Sequence, residues 1–165
     1  MKRILVTGLS GTGKSTVIAA LGARGYKAVD ADCDDYSGWA PSTDDAFGAP
    51  VEEGRDWVWR EDRIQDLLST EDADLLFLGG CAENMRVFLA QFDHVVLLSA
   101  PADVLVARLG ARTTNAYGKC PEEVARVLGQ LGTVEPLLRR VANVEIDASA
   151  PLEVVVERLA QLVRP

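Results

Sequence analysis

Cysteine, histidine and positive charge are all scarce in this chain. The three cysteines, Cys33, Cys81 and Cys120, form no C-x-x-C pair, and their odd number and wide spacing argue against a disulfide framework or a zinc site. The single histidine, His94, opens the run Val95-Val96-Leu97-Leu98, and no nucleophile constellation with Ser or Cys assembles around it, so a structural role is expected. Seventeen Lys and Arg stand against 25 Asp and Glu, a formal charge of -8. That balance opposes the attraction to phosphate backbones that DNA or RNA binding needs, so long nucleic acid is not an expected partner. Long hydrophobic runs are missing too. No stretch approaches a membrane span, and Met1-Lys2-Arg3 precedes only Ile4-Leu5-Val6, too short for the apolar region of a signal peptide. The expectation is a cytoplasmic protein without a membrane partner, a monomer or small homo-oligomer.

What is present is a repeating pattern. At 165 residues and 48% apolar composition the chain is expected to be one domain, residues 1–165. Short hydrophobic runs near 3–7, 27–30, 74–79, 94–98 and 143–146 alternate with helix-like stretches near 14–23, 59–69, 82–90, 102–110, 121–140 and 151–163. The fifth of these stretches is expected to break near Gly129-Gly132. Alternation of this kind is the mark of an α/β fold with a parallel sheet covered on both faces. Residues 31–56 stand apart. They are rich in acids, Gly and Pro with little periodicity, which suggests a surface excursion of the kind that often carries function.

The strongest signal is Gly8-Leu9-Ser10-Gly11-Thr12-Gly13-Lys14-Ser15-Thr16, which fits G-x-x-x-x-G-K-[ST] between a short apolar strand and an apolar helix. Gly8, Gly11 and Gly13 let the backbone turn tightly and aim successive N–H groups at phosphate oxygens, while the helix that follows adds its positive end. In this reading Ser10, Thr12 and Thr16 complete the cradle and Lys14 reaches the β and γ phosphates. The Ser15 hydroxyl ligates Mg²⁺. ATP and Mg²⁺ are therefore the expected nucleotide and ion.

The loop alone does not separate switches, motors and small kinases. Two further regions help. The strand Leu75–Leu78 ends in Gly79-Gly80 where motors and switches normally place an acid. Instead Asp30-Ala31-Asp32 follows the second strand, and on an extended segment carboxylates two apart face the same way. One can hold Mg²⁺ through water while the other accepts a proton from an attacking hydroxyl. Arg108 and Arg112, four apart at the end of a helix and the start of a polar loop at about 111–120, suit a lid. One guanidinium can lie on a purine and the other on developing phosphate charge. After Gly80, Glu83 or Asn84 is placed to read an acceptor hydroxyl or base edge, or else to cap the next helix. Trp39, Trp57 and Trp59 lie in or at the edge of the acid-rich excursion, where they either stack on a flat acceptor or form a small core.

Taken together these residues resemble the shikimate-kinase-like and gluconate-kinase-like small-molecule kinases within the nucleoside monophosphate kinase group. The likeness spans nearly the whole chain: the loop at 8–15, Asp30-Ala31-Asp32, the aromatic-Arg pair Trp59-Arg60, Gly79-Gly80, Arg108 and Arg112, and Glu135-Pro136-Leu137-Leu138 before the last strand and helix. The resemblance implies a P-loop three-layer fold with a five-stranded parallel sheet, strand order 2-3-1-4-5, an acceptor region at about 31–60 and a short lid. It further implies ATP-dependent phosphorylation of a small acceptor. Asp32 would contact or deprotonate the acceptor hydroxyl and Asp30 would hold Mg²⁺ through water. Arg60, Gly79, Gly80 and Asn84 would line the acceptor, and Arg112 would cover the phosphates. Two positions depart from the shikimate kinase pattern, with Cys81 in place of a third glycine and Val134 in place of an acceptor-binding Arg. The alternatives are a nucleoside or nucleoside monophosphate kinase and, from another class, a regulatory ATP-binding module.

Overall fold

The computed structural model describes residues 1–42, 53–113 and 116–164. Thus 43–52 of the expected acceptor region and 114–115 of the expected lid lie outside the described residues. The chain runs through β1 (Lys2–Thr7), α1 (Lys14–Ala23), β2 (Lys27–Asp30), β3 (Ser37–Pro41), β4 (Arg55–Trp59), α2 (Glu61–Ser69) and β5 (Leu75–Gly79). A 3-10 helix over Glu83–Gln91 follows, then β6 (His94–Ser99), α3 (Ala102–Ala111), α4 (Pro121–Thr133), α5 (Glu135–Val141), β7 (Val144–Asp147) and α6 (Leu152–Gln161). The main sheet is parallel with order β2-β5-β1-β6-β7. Counting only its own strands, that is 2-3-1-4-5, the order the resemblance implies.

Period-two alternation along the central strands divides the core between two layers. Leu5, Leu76, Leu78, Val95 and Leu97 face one cluster with Ile64, Leu68, Met85, Phe88, Leu105 and Leu138. Ile4, Val6, Phe77, Val96 and Leu98 face the other with Val17, Ile18, Leu21, Val156 and Leu159. All of these strand residues are buried, so β1, β5 and β6 read as unbroken apolar runs. The sheet is consequently a rigid platform whose C-terminal edge carries the loops.

Three local expectations change. Residues 37–41 and 55–59 form an antiparallel hairpin in a second, two-stranded sheet, with Ser37 opposite Trp59 and Trp39 opposite Trp57. Cross-strand aromatic pairing holds it, with the Trp39 and Trp57 rings edge to face at 5.2 Å. Because Trp59 completes β4, the following helix begins at Glu61 and not at 59. The stretch near 82–90 is a 3-10 helix, in which residues three apart eclipse, and this turns Met85 and Phe88 to one buried face. Finally, α4 runs through Gly129 and Gly132 and the break comes at Val134. Pro136 is the reason: it lacks the N–H that a continuous helix needs, and its ring would meet the carbonyl of Gly132.

Candidate active site

β1 ends at Thr7, and the chain turns over Gly8–Gly13 into α1. The turn demands glycine at two points. Gly8 has φ +153°, and a β-carbon there would lie 2.4 Å from the Leu98 carbonyl oxygen; Gly13, at φ +89°, sits directly before the first helical residue. Thr12 Oγ1 donates to the Leu9 carbonyl at 2.8 Å and braces the loop from inside. Lys14 is largely buried, and its ammonium donates to the carbonyls of Gly8 (2.8 Å) and Leu9 (3.1 Å). The cation thus lies across the mouth of the loop, where its charge faces any phosphate held by the backbone amides.

A cavity of about 470 Å³ opens above the loop. Ser10, Gly11, Thr12, Gly13, Lys14, Ser15 and Thr16 line its floor, with Asp32, Arg108 and Arg112 at the sides. Arg108, from α3, donates to the carbonyls of Thr12 (3.3 Å) and Ala148 (2.6 Å), tying the loop to the turn after β7. Arg112 follows the last helical residue of α3 and donates through Nε to the Tyr117 carbonyl at 3.1 Å, with a second contact from its Nη2. Gly118 N–H donates to Glu123 at 2.6 Å, so the described part of the expected lid is anchored at both ends of its turn.

Asp30 and Asp32 do not share a face in the way an extended segment requires. Asp30 Oδ1 accepts the Asp32 backbone N–H at 3.0 Å, an Asx turn that bends the chain, and only Asp32 lines the cavity. Asp32 Oδ1 also accepts the Cys81 N–H at 3.2 Å. Part of the Asp32 surface opens to the cavity, while the protein packed around its carboxyl removes water from it. That burial pushes the Asp32 pKa up from 3.8 to about 6, against the pull of the Lys14 charge, and the nearby Asp30 charge raises it further. Burial likewise raises the Cys81 thiol.

Among the other expected contacts, Gly80 is packed against the site. A β-carbon on it would stand 3.0 Å from Asp32 Oδ1 and 3.0 Å from Trp59 Cζ2, and one on Gly79 would meet Ile18 at 2.4 Å. Gly80 therefore makes room for Asp32 and Trp59, and Gly79 for Ile18 of α1. Arg60 lies outside the cavity lining, donating to the Asp34 carbonyl at 3.3 Å and stacked over Gly38. Asn84 is put to a different use from the expected acceptor contact. Its Oδ1 accepts the Trp59 N–H and its Nδ2 donates to the Trp59 carbonyl, both at 2.9 Å, with a further bond to Glu61 at 3.2 Å. The amide imitates a strand neighbour, so its donors are turned toward β4 and not toward an acceptor.

Two features escaped the sequence reading. Ala148, Ala150, Leu152 and Val155 form an apolar wall of the cavity. The signal was available as small residues between the last strand and last helix, at the sheet edge where open α/β folds bind ligands. The tryptophans also divide: Trp59 is 1% exposed and packs on Phe88, while Trp39 is 44% exposed beneath the Arg55 guanidinium at 4.1 Å.

A glycine-rich anion cradle, a lysine across it, a carboxylate beside it and two arginines over it define a P-loop phosphotransferase. Residues 4–129 match the family described as AAA domain. The chain is 34% identical over 172 residues to shikimate kinase 2 of Escherichia fergusonii, covering 96% of this chain and 91% of that protein. It is 31% identical over 170 residues to shikimate kinase 2 of Yersinia enterocolitica, covering 96% and 94%. A solved shikimate kinase from Acinetobacter baumannii, in complex with shikimate, shares the fold with a TM-score of 0.66 over 99% of this chain and 93% of that one, at 21% identity. The chain belongs to the shikimate kinase family of P-loop small-molecule kinases. It is accordingly an enzyme that transfers a phosphoryl group from ATP to a small-molecule hydroxyl, which sets aside the regulatory-module alternative. Among the described residues no helix is long and apolar enough to cross a membrane.

Proposed function

We propose that this kinase phosphorylates a hydroxyl compound other than shikimate, using ATP with Mg²⁺. The observation that carries the catalytic part is the convergence of Lys14, Ser15, Asp32, Arg108 and Arg112 on one cavity. The acceptor oxygen attacks the γ phosphorus, the bond from that phosphorus to the bridging oxygen of ADP breaks, and the hydroxyl proton passes to Asp32. A carboxyl held near pH 6 is well matched to that proton, being ionised at neutral pH yet more basic than an exposed aspartate. Lys14 and the loop amides neutralise phosphate charge, Arg112 covers the transferring group and Arg108 faces the nucleotide side.

The donors suit Mg²⁺, which takes hard oxygen ligands and keeps several waters. Ser15 presents an exposed hydroxyl at the first turn of α1 and lines the cavity. Asp30, the water-mediated ligand that the resemblance implies, spends one carboxylate oxygen on the Asp32 N–H and lies outside that lining. When bound, the ion offsets charge on the β and γ phosphates.

The departure from shikimate rests on the acceptor side. A carboxylate is best held by a bidentate arginine. Arg60 is engaged with the Asp34 carbonyl, and Val134 is buried apolar surface at the junction of α4 and α5. That supports an acceptor whose recognition does not depend on a carboxylate. A nucleoside or nucleoside monophosphate is the second reading, favoured by the half-exposed Trp39–Trp57 pair, which offers an aromatic surface at the hairpin.

Acceptor-dependent ADP formation should be measured across shikimate, gluconate, other polyols, nucleosides and nucleoside monophosphates. A hydroxyl acceptor preferred over shikimate is expected. A clear preference for shikimate, or for transfer onto a nucleotide phosphate, would overturn the assignment. With the acceptor in hand, Asp32→Asn should lower transfer by about 10²-fold or more, the scale of a positioned base. Asp34→Asn and Asp35→Asn, both exposed, should stay near the parent rate.

A further inference from the structure

Trp59 is the most deeply buried aromatic beside the site, and its polar atom is orphaned. The indole Nε1 is enclosed and meets no acceptor at full hydrogen-bond geometry among the described residues, while the Asp32 carboxylate lies close enough to feel it as a donor. Buried donors of this kind are uncommon and costly, so the position of the N–H asks for an acceptor atom close by. One is at hand. The point where a β-carbon on Gly80 would sit lies 3.0 Å from Asp32 Oδ1 and 3.1 Å from Trp59 Nε1, so the carboxylate and the indole N–H flank the same glycine. No side chain at residue 80 separates them.

The tryptophan is also held in place with unusual redundancy. Asn84 grips its backbone on both sides, at 2.9 Å from the N–H and 2.9 Å from the carbonyl. Phe88 supports the ring at a centroid distance of 6.1 Å, and Ser37 stands opposite in the hairpin register. A residue needed only to fill space would not require both backbone groups to be fixed by a side-chain amide. A residue needed to aim one N–H would.

We propose that Trp59 is a positioning residue for Asp32: its indole N–H donates to the Asp32 carboxylate and sets which oxygen faces the acceptor hydroxyl. Asn84 acts one step further out, by holding Trp59. The inference rests on the reading that Asp32 receives the acceptor proton, and the experiment below separates the two.

Trp59 is replaced by β-(3-benzothienyl)alanine, which keeps the size and shape of the ring and has sulfur where the N–H was, and in parallel by Phe. Each replacement is made in the parent and in the Asp32→Asn background, with kcat and the KM for ATP measured for all. A donor lost to a charged group is worth about tenfold or more in rate. The expected result is that fall in kcat in the parent background, an ATP KM within about twofold, and little further loss once Asp32 is already Asn. Equal losses in both backgrounds would make Trp59 a packing residue and overturn the proposal, as would an unchanged kcat for the benzothienyl protein. A second readout does not need turnover. With ¹⁵N-labelled indoles, Asp32→Asn should move the Trp59 N–H resonance upfield while those of Trp39 and Trp57 stay in place; no upfield movement overturns the hydrogen bond. If Asp32→Asn kept the parent kcat, the role of Asp32 as base would fall instead, and the resonance alone would decide the contact.

Discussion

Replacing Asp32 with Asn should make this enzyme slower and its fold more stable, and the second effect can be worked out from the site. In the folded protein burial raises the Asp32 pKa from 3.8 to about 6. Folded protein therefore holds more protons than unfolded protein between those values, and stability falls as pH rises through that window. Below about pH 4 both states are protonated and nothing is lost. Above about pH 6 the folded state carries an uncomfortable charge, and the cost levels off at roughly two pKa units, or about 3 kcal/mol, as a ceiling. Asn keeps an oxygen for the Cys81 N–H and carries no charge at any pH. The variant should thus gain about 2 to 3 kcal/mol near pH 7.5, equivalent to a Tm rise of about 5–10 °C for a chain of this length. Thermal melts followed by circular dichroism, in EDTA and without nucleotide, would compare the two proteins from pH 4.5 to 8. The gap should open as pH rises and close toward pH 4.5. A variant no more stable than the parent at pH 8, or a gap independent of pH, would refute the reasoning that the site strains to hold this carboxylate ionised.

Lys14→Ala should abolish transfer while leaving the circular dichroism spectrum intact, because among the described residues the ammonium bonds to the loop carbonyls of Gly8 and Leu9 and not to the core; turnover near the parent rate would remove the lysine from the mechanism. Arg112→Ala should reduce kcat by about 10²-fold with a much smaller change in ATP affinity by calorimetry, since its charge is worth most where charge develops; equal losses in both would make it a ground-state binder. Gly8→Ala should lower stability by about 2 kcal/mol or more, because the new β-carbon would stand 2.4 Å from the Leu98 carbonyl oxygen, and a melt unchanged from the parent would contradict that packing. Asn84→Ala should cost about 2 kcal/mol in denaturant unfolding for two lost hydrogen bonds to the Trp59 backbone, with a near-normal acceptor KM if Asn84 makes no acceptor contact.

The nucleotide half of the site was legible in the chain because its chemistry is local. Gly8 to Thr16 are consecutive, their spacing is set by how a backbone wraps a phosphate, and the flanking apolar runs announce strand and helix. The sheet was legible for a similar reason, since fully buried parallel strands leave unbroken apolar runs such as Leu75–Leu78. The strand order came from the resemblance and not from the runs themselves.

What the chain alone could not settle depends on contacts between residues far apart in sequence. The hairpin of β3 and β4 pairs Ser37 with Trp59 across twenty-one intervening positions, and nothing in either strand's own periodicity announces it. The Asx turn at Asp30 withdrew one of two adjacent acids from the cavity, because a short carboxylate next to a free backbone N–H competes with the extended conformation that sequence spacing assumes. Asn84 could be read with equal ease as a substrate contact or a cap until Trp59 was seen on both sides of its amide. The basicity of Asp32 was likewise invisible, since it arises from burial of the carboxyl among distant segments, which outweighs the opposing pull of Lys14 and of the bonds from Cys81 and Trp59. Local sequence determined the proposed phosphate loop; only the packing of distant segments decided which carboxylate lines the cavity above it and how strongly that group holds a proton.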